Sequence, residues 1–103
     1  MVASLRLKLL GSFEARGSSG QTVEISGKKG QALLAYVALS PGKSLPREKL
    51  VNLLWSDRGD AQARGNLRQV LVTLRRDLEG IDPVPLLFER DTITADAAAI
   101  SSD

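Results

Sequence analysis

The sequence predicts an α+β domain: a small amino-terminal antiparallel sheet, three helices, and a carboxy-terminal β-hairpin. Three observations carry this expectation. Apolar residues recur with period two before residue 26, with a helical period between about residues 28 and 79, and in two β-prone runs after Pro85. At 103 residues, 43% hydrophobic and 25% charged, the chain can form one core that buries roughly 60–65% of its unfolded surface.

Leu5 to Leu10 (LRLKLL) alternates apolar and basic residues before closing on two leucines, as a half-exposed strand does. Gly11 interrupts it, and Phe13 to Arg16 resumes extended structure. Gly17-Ser18-Ser19-Gly20 is turn chemistry, and Gln21 to Ile25 (QTVEI) alternates again. Two or three strands this short do not stand alone, so something must cover their apolar face.

Helical spacing then takes over. Ser26 is the expected N-cap of a helix from about Lys28 to Ser40, with Leu33, Leu34, Tyr36, Val37 and Leu39 facing inward. Pro41-Gly42 ends it. Pro46, at a first-turn position, opens a second helix through about Trp55, with Glu48 near its positive end. Leu50, Val51, Leu53, Leu54 and Trp55 make that helix mostly buried, and Trp55 is expected to anchor it against the third. Trp55, Tyr36, Phe13 and Phe88 are all read as core residues. Asp57 to Asp60 is the turn.

A third helix is expected at about 61–79. Leu67, Val70, Leu71, Leu74 and Leu78 fall at i, i+3, i+4, i+7 and i+11 and form one inward stripe. Gly80 suits the C′ position, and Pro83 and Pro85 prevent continuation. Leu86 to Glu89 and Thr92 to Ala95 are then two strands around Arg90-Asp91, a two-residue turn without the glycine such turns prefer. Ala97 to Asp103 reads as a linker or a truncated boundary, which puts the folded domain at 1–96. A basic third helix followed by a hairpin is the layout of a winged helix-turn-helix. There the third helix enters the major groove and the hairpin reaches adjacent backbone or minor groove.

Composition narrows the function. Without cysteine there are no disulfides, thiolate metal sites or thiol nucleophiles, and without histidine the commonest metal ligand and neutral-pH base are missing. The carboxylates stand singly, so neither catalysis nor a cofactor is expected. Gly42-Lys43-Ser44 looks like the end of a phosphate-binding loop, but Val37 occupies the required earlier glycine position. No run is apolar enough for a signal peptide or for the ~18 residues of a membrane span, so a cytoplasmic location without membrane association is expected. The net charge of +2 is unevenly divided: +1 over residues 1–25, +5 over 26–79 from ten basic and five acidic groups, and −4 over 80–103. Positive charge concentrated on the helical middle suits a polyanionic partner, although uneven scatter alone produces such blocks.

The third helix is the sharpest signal. Beside and opposite its apolar stripe lie Arg64, Arg68, Gln69, Val72, Arg75 and Arg76. Guanidinium forks suit phosphates and guanine edges, and a helix is about as wide as a major groove. A merely solvated charged face has the same composition.

Several strings then occur in a particular order: Leu5-Arg6-Leu7 before Leu10-Gly11; Lys29-x-x-Ala32-Leu33-Leu34-Ala35-Tyr36-Val37-Ala38-Leu39; Arg47-Glu48-x-Leu50; Leu53-Leu54-Trp55; and Ala63-Arg64-x-Asn66-Leu67-Arg68-Gln69-x-Leu71-x-x-Leu74-Arg75. Over residues 5–96 the chain resembles the amino-terminal DNA-binding domain of the SARP family (Streptomyces antibiotic regulatory proteins), an OmpR/PhoB-type winged helix of bacterial transcriptional regulators. The resemblance implies binding to direct repeats in promoter DNA as a head-to-tail homodimer, and help in recruiting RNA polymerase. Longer members continue into a helical-repeat domain, so the chain reads as a fragment or a short member. Two features depart from the pattern. Gly65 sits in the first turn of the third helix at a cost of up to ~1 kcal/mol against alanine. The wing offers only Arg90, between Glu89 and Asp91.

Within that frame Arg68, Gln69, Val72 and Arg76 are the expected groove residues: arginine for guanine, glutamine for adenine, valine for a thymine methyl. Thr73 suits a base or a phosphate. Arg64 and Arg75, nearer the core boundary, suit phosphate contacts, with a structural role for Arg75 (stem on the core, head paired with an acid) as the alternative. Arg47, at a helix start, is a further phosphate candidate, ahead of Lys28, Lys29 and Lys49. The competing function is a winged helix that docks proteins and does not bind DNA.

Overall fold

A computed structural model describes residues 3–56 and 60–102, with the backbone alone of Asp60. Across these residues the chain forms three helices and six short strands. The order is β1 (Leu5–Lys8), β2 (Glu14–Gly17), α1 (Lys28–Ala38), β3 (Ser44–Pro46), α2 (Arg47–Leu54), α3 (Asp60–Asp77), β4 (Leu86–Phe88), β5 (Thr92–Ala95) and β6 (Ile100–Ser102). The expected turn before α3 lies outside the described residues, except that Asp60 opens the helix.

Two three-stranded sheets flank the helices, ordered β2-β1-β6 and β3-β5-β4. β1 pairs antiparallel with β2, Leu5 opposite Gly17, so Leu5, Leu7 and Ala15 point into the core. Gln21 to Ile25, expected as a third strand, makes only an isolated bridge between Arg16 and Thr22. The other edge of β1 is taken by β6, which runs parallel to it with Ile100 opposite Leu5. The expectation that residues 97–103 form a linker is therefore corrected for 97–102. Ala99 and Ile100 are buried, and Ser4 Oγ donates to the Pro83 carbonyl at 2.6 Å while lying 3.1 Å from that of Ala99.

The N-cap of α1 is Gly27, whose φ of 77° suits glycine, and not Ser26. Ser26 faces the end of α3 instead: its N–H donates to Asp77 Oδ2 at 2.7 Å and its hydroxyl to Oδ1 at 3.3 Å. Leu33, Leu34 and Val37 are fully buried, Tyr36 is half-buried, and Leu39, expected inside, is exposed because the helix has ended at Ala38. Gly42 N–H then donates to the Ala95 carbonyl at 2.7 Å, and the chain enters β3.

Strand β3 was not expected. It pairs antiparallel with β5, Leu45 opposite Ile93, and turns at Pro46 directly into α2. Pro46 thus occupies the N-cap with extended backbone and not a first-turn position; on an edge strand its missing N–H leaves the ladder intact. Leu50, Val51 and Trp55 are buried as expected, but Leu53 is half exposed. Phe13 and Phe88 pack on the core from its margin while remaining partly open.

In α3, Ala63, Leu67, Leu71 and Leu74 form the buried stripe, with Val70 at its edge and Leu78, just past the helix end, continuing it. β4 and β5 pair with Phe88 opposite Ile93, and Glu89 N–H donates to the Thr92 carbonyl at 2.9 Å. Arg90-Asp91 is thus the expected two-residue turn. It is made without positive φ, since every described residue with positive φ is a glycine. The whole is an α+β winged helix-turn-helix. No described helix is long and apolar enough to cross a membrane.

Burial of β6 has a measurable consequence. Ile100→Ala is expected to lower unfolding stability by about 2–4 kcal/mol in urea titration, as core truncations do. A change within about 0.5 kcal/mol, typical of a tolerant surface position, would mean that the segment is not part of the core.

Candidate nucleic-acid interface

Because the leucines of α3 face the core, the opposite side of the helix is presented outward. Gly65, Gln69, Val72 and Arg76, at i, i+4, i+7 and i+11, form an exposed row, and Val72 keeps 50% of its surface accessible despite being apolar. Among the described residues the side chains of Arg68, Gln69, Arg76 and Arg90 make no hydrogen bond or ion pair. Each is an uncommitted donor on the outside of the fold.

Arg64 and Arg68 lie on the flank facing α2 and the wing. Together with Arg47, Glu48, Arg90 and Asp91 they line a groove of about 510 Å³. Arg68, expected in line with Arg76, therefore stands on this flank while the central row runs through Gly65. Arg64 Nε donates to Glu48 Oε1 at 2.7 Å, joining the first turn of α2 to α3. Both side chains are more than half exposed, so the pair contributes little stability, in the range of about 0–1 kcal/mol. No local pattern in the sequence announces a partner sixteen positions away.

Arg47 is more deeply committed. Its backbone N–H donates to the Asp91 carbonyl at 2.9 Å and its Nη2 to the Glu89 carbonyl at 2.6 Å. Its Nε is buried and makes no hydrogen bond. The residue clips the turn of the wing onto the start of α2, a connection the sequence reading missed when it treated Arg47 as a phosphate candidate alone.

Arg75 does not take the acid partner of its alternative, structural reading. Its guanidinium lies 4.8 Å from the centroid of the Phe88 ring, a cation–π contact that ties the carboxy-terminal half of α3 to β4. On the opposite flank, Gln69 and Thr73 border a shallow cavity of about 360 Å³ shared with Lys28 and Lys29 at the start of α1. Lys29 is directed elsewhere: its Nζ donates to the Leu54 carbonyl at the end of α2 and sits 5.4 Å from the Trp55 ring centroid. A cation there complements the negative end of a helix.

No family model and no curated protein matches this chain. Among solved structures, Mycobacterium tuberculosis EmbR, in a complex with a low-affinity phosphopeptide, matches 90% of the chain with a TM-score of 0.75 at 21% sequence identity. The chain corresponds to 25% of the EmbR chain. At this identity the likeness establishes a shared fold: the order of sheet, helices and wing is that of an experimentally determined structure.

The two kinds of arginine separate in a stability measurement. Arg47→Ala, which removes the clip to Glu89, should cost about 1 kcal/mol in chemical denaturation. Arg68→Ala, without a partner, should stay within about 0.5 kcal/mol of the unsubstituted chain. Equal effects would contradict the assignment of Arg47 to the wing.

Proposed function

We propose that the chain is the double-stranded-DNA-binding domain of a SARP-like bacterial transcriptional regulator, with α3 in the major groove and the β4–β5 wing alongside. The observation that carries this is the exposed row Gly65–Gln69–Val72–Arg76, flanked by Arg64 and Arg68 and bordered by Arg90 of the wing. What supports the reading over a solvated face is the second basic element, Arg90 of the wing, brought beside Arg64 and Arg68.

In this reading phosphate contacts supply most of the affinity and base contacts the specificity. Arg64, Arg68 and Arg90 neutralise phosphates along the groove beside the wing, where the Arg64–Glu48 pair is itself solvated on both sides. Arg76 forks onto guanine O6 and N7, Gln69 onto adenine N6 and N7, and Val72 meets a thymine methyl. Thr73 bonds a base or phosphate on the far flank, and Arg75, held on Phe88, reaches backbone from the carboxy-terminal half. Arg47 acts by holding the wing. Direct repeats as the operator, a homodimer on DNA, contact with RNA polymerase and action in the cytoplasm complete the proposal, by resemblance to the family.

A winged helix that docks proteins is the competing function; the exposed apolar Leu87 on the wing and Val84 just before it favour it. Fluorescence anisotropy with a random-sequence duplex separates the two. With about four phosphates neutralised, log affinity should fall against log salt with a slope of about −3 to −4. Absence of duplex binding at low salt would select the docking module. On a duplex enriched from a randomised pool, Gln69→Ala and Arg76→Ala should each weaken binding by about 1–3 kcal/mol and relax base preference. Full sequence preference in a variant carrying alanine at 68, 69 and 76 would sink the groove assignment.

A further inference from the structure

Gly65 has no use inside the fold. Its backbone is helical, without the positive φ that calls for glycine, and a Cβ built on it meets nothing within 4 Å. It sits in the body of α3, on the exposed side, where alanine would make a more stable helix. Packing, turn geometry and capping therefore all fail to account for it.

What surrounds it supplies a reason. One turn earlier the exposed Ala61 and Gln62 stand to either side of the row, so Gly65 is a gap in the outer face. One turn later the row becomes bulky, with Gln69, Val72 and Arg76. Arg64 and Arg68 rise beside the bare stretch from the flank that faces the wing. The face thus carries its gap in the amino-terminal half, the half that recognition helices lead into the major groove.

We infer that Gly65 is a specificity-determining position: base edges on the floor of the major groove pass in van der Waals contact with its Cα, and a methyl there would hold the helix out. The inference rests on the DNA-binding reading and adds to it the depth and tilt of α3. It also places a helix-weakening residue where stability is exchanged for a closer fit.

The test is Gly65→Ala in the 103-residue chain, a substitution that does not endanger folding. Its melting temperature should rise by about 4–8 °C. Affinity for a duplex enriched by the unsubstituted chain from a randomised pool should fall about tenfold or more, while affinity for a scrambled duplex stays within about twofold. Unchanged affinity for the enriched duplex would overturn the inference while leaving DNA binding intact. An equal loss on both duplexes would also overturn it, by placing a phosphate and not a base at Gly65. Failure of the unsubstituted chain to bind any duplex is a separate outcome that removes the DNA reading and this inference with it.

Discussion

Burial of one side of α3 is the constraint on which the rest of the molecule depends. Leu67, Leu71, Leu74 and Leu78 are each at most 6% exposed, and they close the core against α1 and α2. At about 1.5–3 kcal/mol for each buried leucine, the four contribute on the order of 6–12 kcal/mol, comparable to the whole net stability of a small domain. No surface contact of α3 approaches that sum, so the helix cannot roll about its axis to satisfy its arginines. Which residues look outward is fixed by which leucines look inward, and the exposed row is a by-product of the core.

The position of the wing relative to that row is set by smaller forces acting together. β3 holds β5 by its ladder and leads without a break into α2, so the wing and the helix-turn-helix share a rigid corner. Arg47 bonds the carbonyls of Asp91 and Glu89 from the first residue of α2, and Arg75 stacks on Phe88 from α3. None of these contacts is large alone, but they join three elements at three points. Arg90 is thereby carried beside Arg64 and Arg68, with Glu48 and Asp91 tempering the charge between them.

Much of this was legible in the sequence, for a physical reason: periodicity reports local burial. The α3 stripe, the Leu33-Leu34-Val37 side of α1 and the β4–β5 hairpin are all written within a few residues of where they act, whereas α3 ends at Asp77, two residues before the expected 79, with Gly80 in the turn that follows. Two strands were not legible. Ser44–Pro46 is too short to show alternation, and β6 becomes a strand only because β1, nearly the whole chain away, offers it an edge. The same limit applies to the site. The outward side of α3 follows from its leucines, but the Glu48 partner of Arg64 and the hold of Arg47 on the wing depend on tertiary neighbours. Arg75 resting on an aromatic ring, where the alternative structural reading had an acid, is a third case. Gly65 could be seen in the sequence as an oddity; the open space around it is what removes the internal explanations.

Whether the side of α3 opposite its leucines meets DNA can be read by amide-resolved NMR during titration with a short duplex. Shifts should concentrate at Gly65, Gln69, Val72 and Arg76 and at the Arg90-Asp91 turn, while β1 and β2 at the far sheet stay unchanged. Perturbations centred on the β2-β1-β6 sheet, or on Val84 and Leu87 with α3 silent, would contradict that reading.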